Sequence, residues 1–270
     1  MKKQILIFST VLIAVSLTAI ALINKIDFSS EPLETSMNTE TIVSEEEPED
    51  VQNVKVFSDF IYDIGSRFYT MTKSDIDNLR AFGDIIGEEH SNRIVSYDIL
   101  KVSLFENDEA TNTIEIKNTD EFNPAQLELL QSLGYSANLL IWAEYQIYAN
   151  VTSGELKEEH WTPYITIVPE KQAEYTDGKE ALMTFLRESS KESRRDVDPN
   201  DFRPAKLYFT VTKNGTIENV SLDRSSNFPE VDAKMIELIS KTPGQWIPAE
   251  NSKGEKVDQE FVVSFGLLGC

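Results

Sequence analysis

The sequence predicts an α+β protein held behind an N-terminal apolar segment. Three observations predict it. Directly after Lys2 and Lys3 comes "QILIFSTVLIAVSLTAIALIN", a run of about 20 uncharged, mostly apolar residues that matches a bilayer core in length. An acidic stretch without Lys or Arg follows, from Asp27 to Val54. Beyond it, segments of period two alternate with segments of helical period, each bounded by cap or turn residues.

Residues 1–26 form the membrane anchor or signal segment. Lysines before the span and acids after it put the N-terminus in the cytoplasm and the bulk of the chain outside. Read as a cleaved signal peptide instead, the segment offers Ala19-Ile20-Ala21 as a small-residue cleavage site. Both readings export the remainder. Residues 27–55 carry Glu31, Glu34, Glu40, Glu45-Glu46-Glu47, Glu49 and Asp50; such a stretch buries no core and repels itself, so it is expected to be a disordered tether. About 28 residues of this kind average some 30 Å end to end and reach about 95 Å extended.

Residues 56–168 are expected to form a first α+β domain. "KSDIDNLRAFGDII" reads as one helix from Lys73 to Ile86 capped by Ser74. "RIVSYDILKVSLFE" and "NTIEIKN" read as strands, and "NPAQLELLQSLG" as a short helix with Asn123 as cap and proline in the first turn. "ANLLIWAEYQIYANV" is apolar on both faces and suggests a central strand. "WTPYITIVP" closes the region.

Residues 169–270 are expected to form a second domain. "DGKEALMTFLRESS" reads as a helix capped by Asp177 with Glu180 as capping-box partner. "KLYFTVT" alternates, and Asn214-Gly215 signals a hairpin. In the returning strand Ile217 is out of phase with Val220 and Leu222, which places a bulge near Asn219. "FPEVDAKMIELISK" is a helix burying Val231, Met235 and Leu238. Trp246 is expected to plug the space between that helix and the sheet. The last strand, Val257 to Phe265, points Phe261, Val263 and Phe265 inward and Val262 and Ser264 outward. Both domains run helix, strand, strand, helix, strand, strand. Ile116 and Leu222, Phe122 and Phe228, and Leu130 and Ile236 are each about 106 residues apart, so the first domain reads as a diverged relative of the second.

The net charge of -21 argues against a nucleic-acid partner, because phosphate binding needs clustered Lys and Arg. The single cysteine, Cys270, permits no intrachain disulfide. The two histidines, His90 and His160, lack a metal-ligand spacing, and no phosphate loop or nucleophile elbow is present. The chain is therefore read as a non-enzyme without cofactor or metal. The rival class is an exported enzyme or ligand carrier with a pocket lined by Trp142, Tyr145 or Tyr148 in the first domain.

The run "KLYFTVTKNGTIENVSLDRSS", the Asp232-containing helix, Trp246-x-Pro248-Ala249 and the Gly254–Val257 turn into the last strand resemble the C-terminal domain of TonB, the energy transducer of Gram-negative bacteria. The lead-in "EYTDGKEAL", from Glu174, is also similar to that family. The resemblance covers about residues 168 to 266. It implies two helices on a small antiparallel sheet. It also implies a single-pass inner-membrane protein with its bulk in the periplasm, and capture of an outer-membrane transporter segment as an added strand. Motor proteins of the ExbB and ExbD kind are the further partners it implies. Carried over by position, the partner-binding residues are Val257, Asp258, Gln259, Glu260, Phe261, Val262, Val263, Ser264 and Phe265, with Tyr175 in the lead-in. Trp246, Asn214 and Gly215 are structural. The span departs from the family pattern: it has Ser9 and Ser16 but no histidine. A motor-independent envelope adaptor is the alternative reading.

Overall fold

The computed structural model describes residues 60–267 other than Val151. The apolar span, the acidic tether and Cys270 lie outside the described residues. Among the described residues no helix is long and apolar enough to cross a membrane.

The fold is α+β, built on two main sheets. The first contains β2 (Tyr69–Thr72), β3 (Ile94–Glu106), β4 (Glu109–Lys117), β5 (Asn138–Asn150), β6 (Glu155–Trp161) and β7 (Tyr164–Val168), in the order β2-β7-β5-β3-β4 with β6 beside β5. Its helices are α1 (Lys73–Asn78), α2 (Gly83–Ile86), α3 (Glu88–Ser91) and α4 (Pro124–Ser132). The expected single helix from Lys73 to Ile86 is broken. Leu79 turns to extended backbone, and Ala81 forms a β-bridge to Glu121. The break sends Phe82 into the core, where it is fully buried. The cap is Thr72, in a capping box with Asp75, while Ser74 bonds Glu170 instead. Asn123 caps α4 as its type predicts. β5 is central, but its two faces differ: Leu139, Ile141, Ala143 and Tyr145 are buried, while the residues between them are half-buried.

The second sheet runs β1-β14-β9-β10, from β1 (Phe60–Gly65), β9 (Ala205–Val211), β10 (Ile217–Arg224) and β14 (Gln259–Leu267). Short pairs join β8 (Glu174–Tyr175) to β11 (Trp246–Ile247) and β12 (Ala249–Glu250) to β13 (Lys256–Val257). α5 (Lys179–Ser189) and α6 (Pro229–Ser240) bury Leu182, Leu186, Val231, Met235 and Leu238 against it. α5 starts from Gly178, whose φ is 85°, with no side-chain cap, so Asp177 does not cap it. The hairpin at Asn214-Gly215 forms, but as a Thr212–Gly215 turn closed by Gly215 N–H to the Thr212 carbonyl at 2.8 Å. Gly215, not Asn214, takes positive φ. The bulge lies where the phase slip puts it, between Glu218 and Ser221, with Asn219 at φ 55°.

β1 corrects the expected domain boundary. Placed by the sequence inside residues 56–168, it pairs antiparallel with β14, and Phe60, Tyr62 and Ile64 enter the second core. A strand belongs to whichever edge it pairs with, and neighbourhood in sequence does not decide that.

The two sheets share a ββαβ unit. β3–β4–α4–β5 and β9–β10–α6–β14 each place the third strand antiparallel beside the first. Leu100 and Val102 oppose Ala143 and Ile141, as Leu207 and Phe209 oppose Val263 and Phe261. Both second strands contain an asparagine at positive φ, Asn112 and Asn219. Both helices bury a polar side chain near their start, Gln126 and Asp232.

Candidate functional site

The candidate site is the outer edge of β14. β14 is paired to β9 along one side, from Gln259 to Phe265. Glu260 N–H points the other way and donates to Ser136 Oγ at 3.0 Å. Backbone groups alternate sides along a strand, so Val262, Ser264 and Gly266 also direct theirs away from β9. Those residues face Gly65, Asp63 and Ile61 of β1. This edge is therefore occupied throughout, by β1 and by Ser136.

β1 is seated by its alternate side chains. Phe60 lies edge-on to Phe202 at 5.2 Å, with the Arg194 guanidinium 4.5 Å over its ring. Tyr62 and Ser190 share a hydroxyl hydrogen bond of 2.5 Å, and burial pushes the Tyr62 phenol above its ordinary range. Ile64 is buried, while Asp63 faces solvent and pairs with Lys179 at 2.8 Å. Just beyond β1, Arg67 is clamped. Its guanidinium lies 5.0 Å over Phe68, 5.5 Å over Phe105 and 5.9 Å over Tyr208, and it pairs with Asp108. Cation–π contacts of a desolvated guanidinium contribute up to about 2 kcal/mol. The end of β1 nearest Gly65 is thus anchored to both sheets.

The predicted partner-binding residues separate by face. Phe261, Val263 and Phe265 are core, as expected. Val262, expected outward, is only 6 % exposed. Gln259 is buried, accepting from Ala173 N–H at 2.7 Å and donating to Gln172. Asp258 accepts from Lys213 N–H at 2.7 Å and so braces the hairpin turn. Val257 pairs with Ala249. Glu260 borders a cleft of about 460 Å³ with Arg67, Tyr208, Asp108 and Asp223. Burial raises the Glu260 carboxyl above its ordinary value, and Arg67 offsets part of that. Ser264 is half-buried opposite Asp63. Tyr175 is not a surface contact: it is buried, donates to the Pro243 carbonyl, and packs on Trp246 at 5.5 Å.

The structural residues pack the second core and its hairpin turn. Trp246 packs against Phe209 and Phe261, both at 5.6 Å. A Cβ on Gly215 would meet the Trp246 carbonyl oxygen at 2.5 Å. The Arg224-Ser225-Ser226 motif supports α6: Ser225 Oγ and Ser226 N–H donate to the buried Asp232 carboxylate at 2.6 and 3.0 Å. In the first sheet Tyr145 belongs to the buried core. Trp142 stacks on His160 at 5.2 Å beside Glu144, Glu158 and Glu159, around a shallow surface pocket of about 290 Å³.

The sequence reading did not assign Phe60, Tyr62, Ile64, Arg67 or Ser136 to the site. The signal was present for the first three, because "FIYDIG" alternates apolar and other residues. Comparison with protein-family models, curated proteins and solved structures finds no match to this chain.

Proposed function

We propose that this chain is a membrane-anchored periplasmic protein that binds partners by strand addition to β14. On this reading it is a TonB-like transducer for transport across the outer membrane. One observation carries the proposal: the β14 edge already accepts a strand from elsewhere in the chain, through main-chain pairing with side-chain pockets beneath. That is the chemistry of peptide capture by β-augmentation. The motifs that resemble the TonB domain support it by their roles as scaffold for this edge. The opposite edge, β10, is a poor rival, since register shifts at two places and exposed Glu218 and Asp223 protect it from pairing.

The span without histidine favours the second reading, a motor-independent envelope adaptor that uses the same edge. In-cell photo-crosslinking from position 262 or 264 tests both. Capture of an outer-membrane transporter is expected, and loss of capture in Ser264→Pro, which removes an edge N–H. Crosslinks to other envelope proteins alone favour the adaptor. Unchanged capture by Ser264→Pro rules out strand addition.

A further inference from the structure

We infer that β1 is an exchangeable cover strand, and that the partner segment which replaces it is built like β1. It is an extended peptide, antiparallel to β14, with an aromatic residue, a tyrosine and an aliphatic residue at alternate positions. The inference rests on the reading of β14 as a capture edge, and adds what occupies that edge and what the occupant must look like.

Three features carry it. First, among the described strands β1 is held by β14 alone, at the end of the sheet. Beneath it the two sheets differ in connectivity. In the first sheet the outer side of β5 is covered by β6 and β7, the next strands in sequence. In the second, the equivalent side of β14 is covered by a strand from the far end of the described chain. β1 can leave without reversing any hairpin.

Second, the two ends of β1 are held in different ways, the Phe60 end by a side-chain seat and the Gly65 end by the chain that follows it. The Gly65 end is fixed by the Arg67 clamp. The Phe60 end, opposite Leu267, leads back toward the acidic segment. Displacement from the Phe60–Leu267 pair toward Val262 frees the Phe60 seat while the Arg67 clamp stays made. A partner strand that starts pairing at Leu267 follows the retreating β1 without exposing the whole edge at once.

Third, the seats beneath β1 define the replacement. The first lies between Phe202 and Arg194 and takes an aromatic face. The second has the Ser190 hydroxyl and takes a phenol. The third, beneath Ile64, takes an aliphatic side chain. Between the last two, Lys179 lies within ion-pair reach of the outward position, on the surface. A second copy of this chain fits the seats less well as occupant, because Ser66 to Phe68 alone join β1 to β2 and Arg67 is clamped within them.

The test uses the full chain with Cys270→Ser, Asp63→Cys and Ser264→Cys, purified in detergent. Residues 63 and 264 face each other across the two strands, a placement suited to a disulfide. The probe is a fluorescein-labelled peptide of sequence FIYDIGSR, read by anisotropy. The reduced protein should bind it; the oxidised protein should bind at least about tenfold more weakly, with recovery on adding reductant, because locking removes the competent state. Ile64→Ala in the unlocked chain should tighten binding by roughly tenfold or more by raising the open fraction. Equal binding by oxidised and reduced protein, or no binding by the reduced and Ile64→Ala proteins, overturns the inference. So does a dimer crosslinked from residue 63 of one copy to 264 of another. The in-cell arm separates the two ideas. Transporter capture by the locked protein overturns both, because the disulfide leaves β14 no free side. Capture by the reduced protein alone, with no peptide bound in vitro, overturns the β1-like occupant and leaves the capture edge; peptide exchange in vitro with no transporter caught by either form keeps the cover strand and overturns the transporter reading.

Discussion

If β1 opens independently of the rest of the fold, then destabilising the rest should leave its opening untouched. Met235→Ala provides that perturbation. Met235 is fully buried in α6, which packs on β10 and β9. Its truncation costs about 2–5 kcal/mol through lost transfer energy and residual cavity. A loss of about 2.8 kcal/mol speeds exchange through global unfolding about a hundredfold. Hydrogen exchange resolved at single residues reads the outcome. Phe261, Val263 and Phe265 direct their amides toward β9 and should accelerate by that factor. Val262, Ser264 and Gly266 direct theirs toward β1 and should not, because the β1-open state keeps Met235 packed. Ile64→Ala is the counterpart and should accelerate both sets, since its contacts are absent from both open states. Equal acceleration of both sets by Met235→Ala would refute the reasoning, because β1 would then separate only when the whole sheet does.

Two further outcomes follow from the scaffold and the cleft. Gly215→Ala forces a side chain into φ +77° and against the Trp246 carbonyl; the conformational term alone is about 1–2 kcal/mol, so the melting temperature should fall while Lys213→Ala in the same turn stays within about 0.5 kcal/mol of wild type. Glu260 has a folded-state value raised above the ordinary 4.5. Its folded form holds the proton more tightly, so its stabilising contribution is complete below 4.5 and is lost as pH rises through the raised value. Glu260→Gln should therefore melt higher than wild type at neutral pH, the gap closing in acid; a variant no more stable at neutral pH contradicts the assignment.

Local chemistry was legible in the sequence wherever one short segment decided it. The β9–β10 hairpin, the bulge at Asn219, the cap at Asn123 and the burial of Trp246 all follow from residues a few positions apart. Caps that depended on a rival neighbour were misread: Thr72 outcompeted Ser74, and Gly178 left Asp177 no role. The break at Leu79 was hidden because Leu79 and Phe82 reach the same core without a continuous helix. The state of the β14 edge was the least legible of all. Its inward and outward alternation is local, but what lies beside a strand depends on every other strand in the chain. Nothing within "EFVVSFG" distinguishes an open edge from one covered by residues at the opposite end of the described sequence.

That long-range pairing has a consequence in time. β1 is made before the strand it pairs with. At synthesis rates of about 5–20 residues per second, the roughly 200 residues between them take some 10–40 s to appear. Until then Phe60, Tyr62 and Ile64 have no partner strand, and the distant β1–β14 pairing is expected to close late. An unpaired apolar strand in a growing chain is a ready target for holdase chaperones.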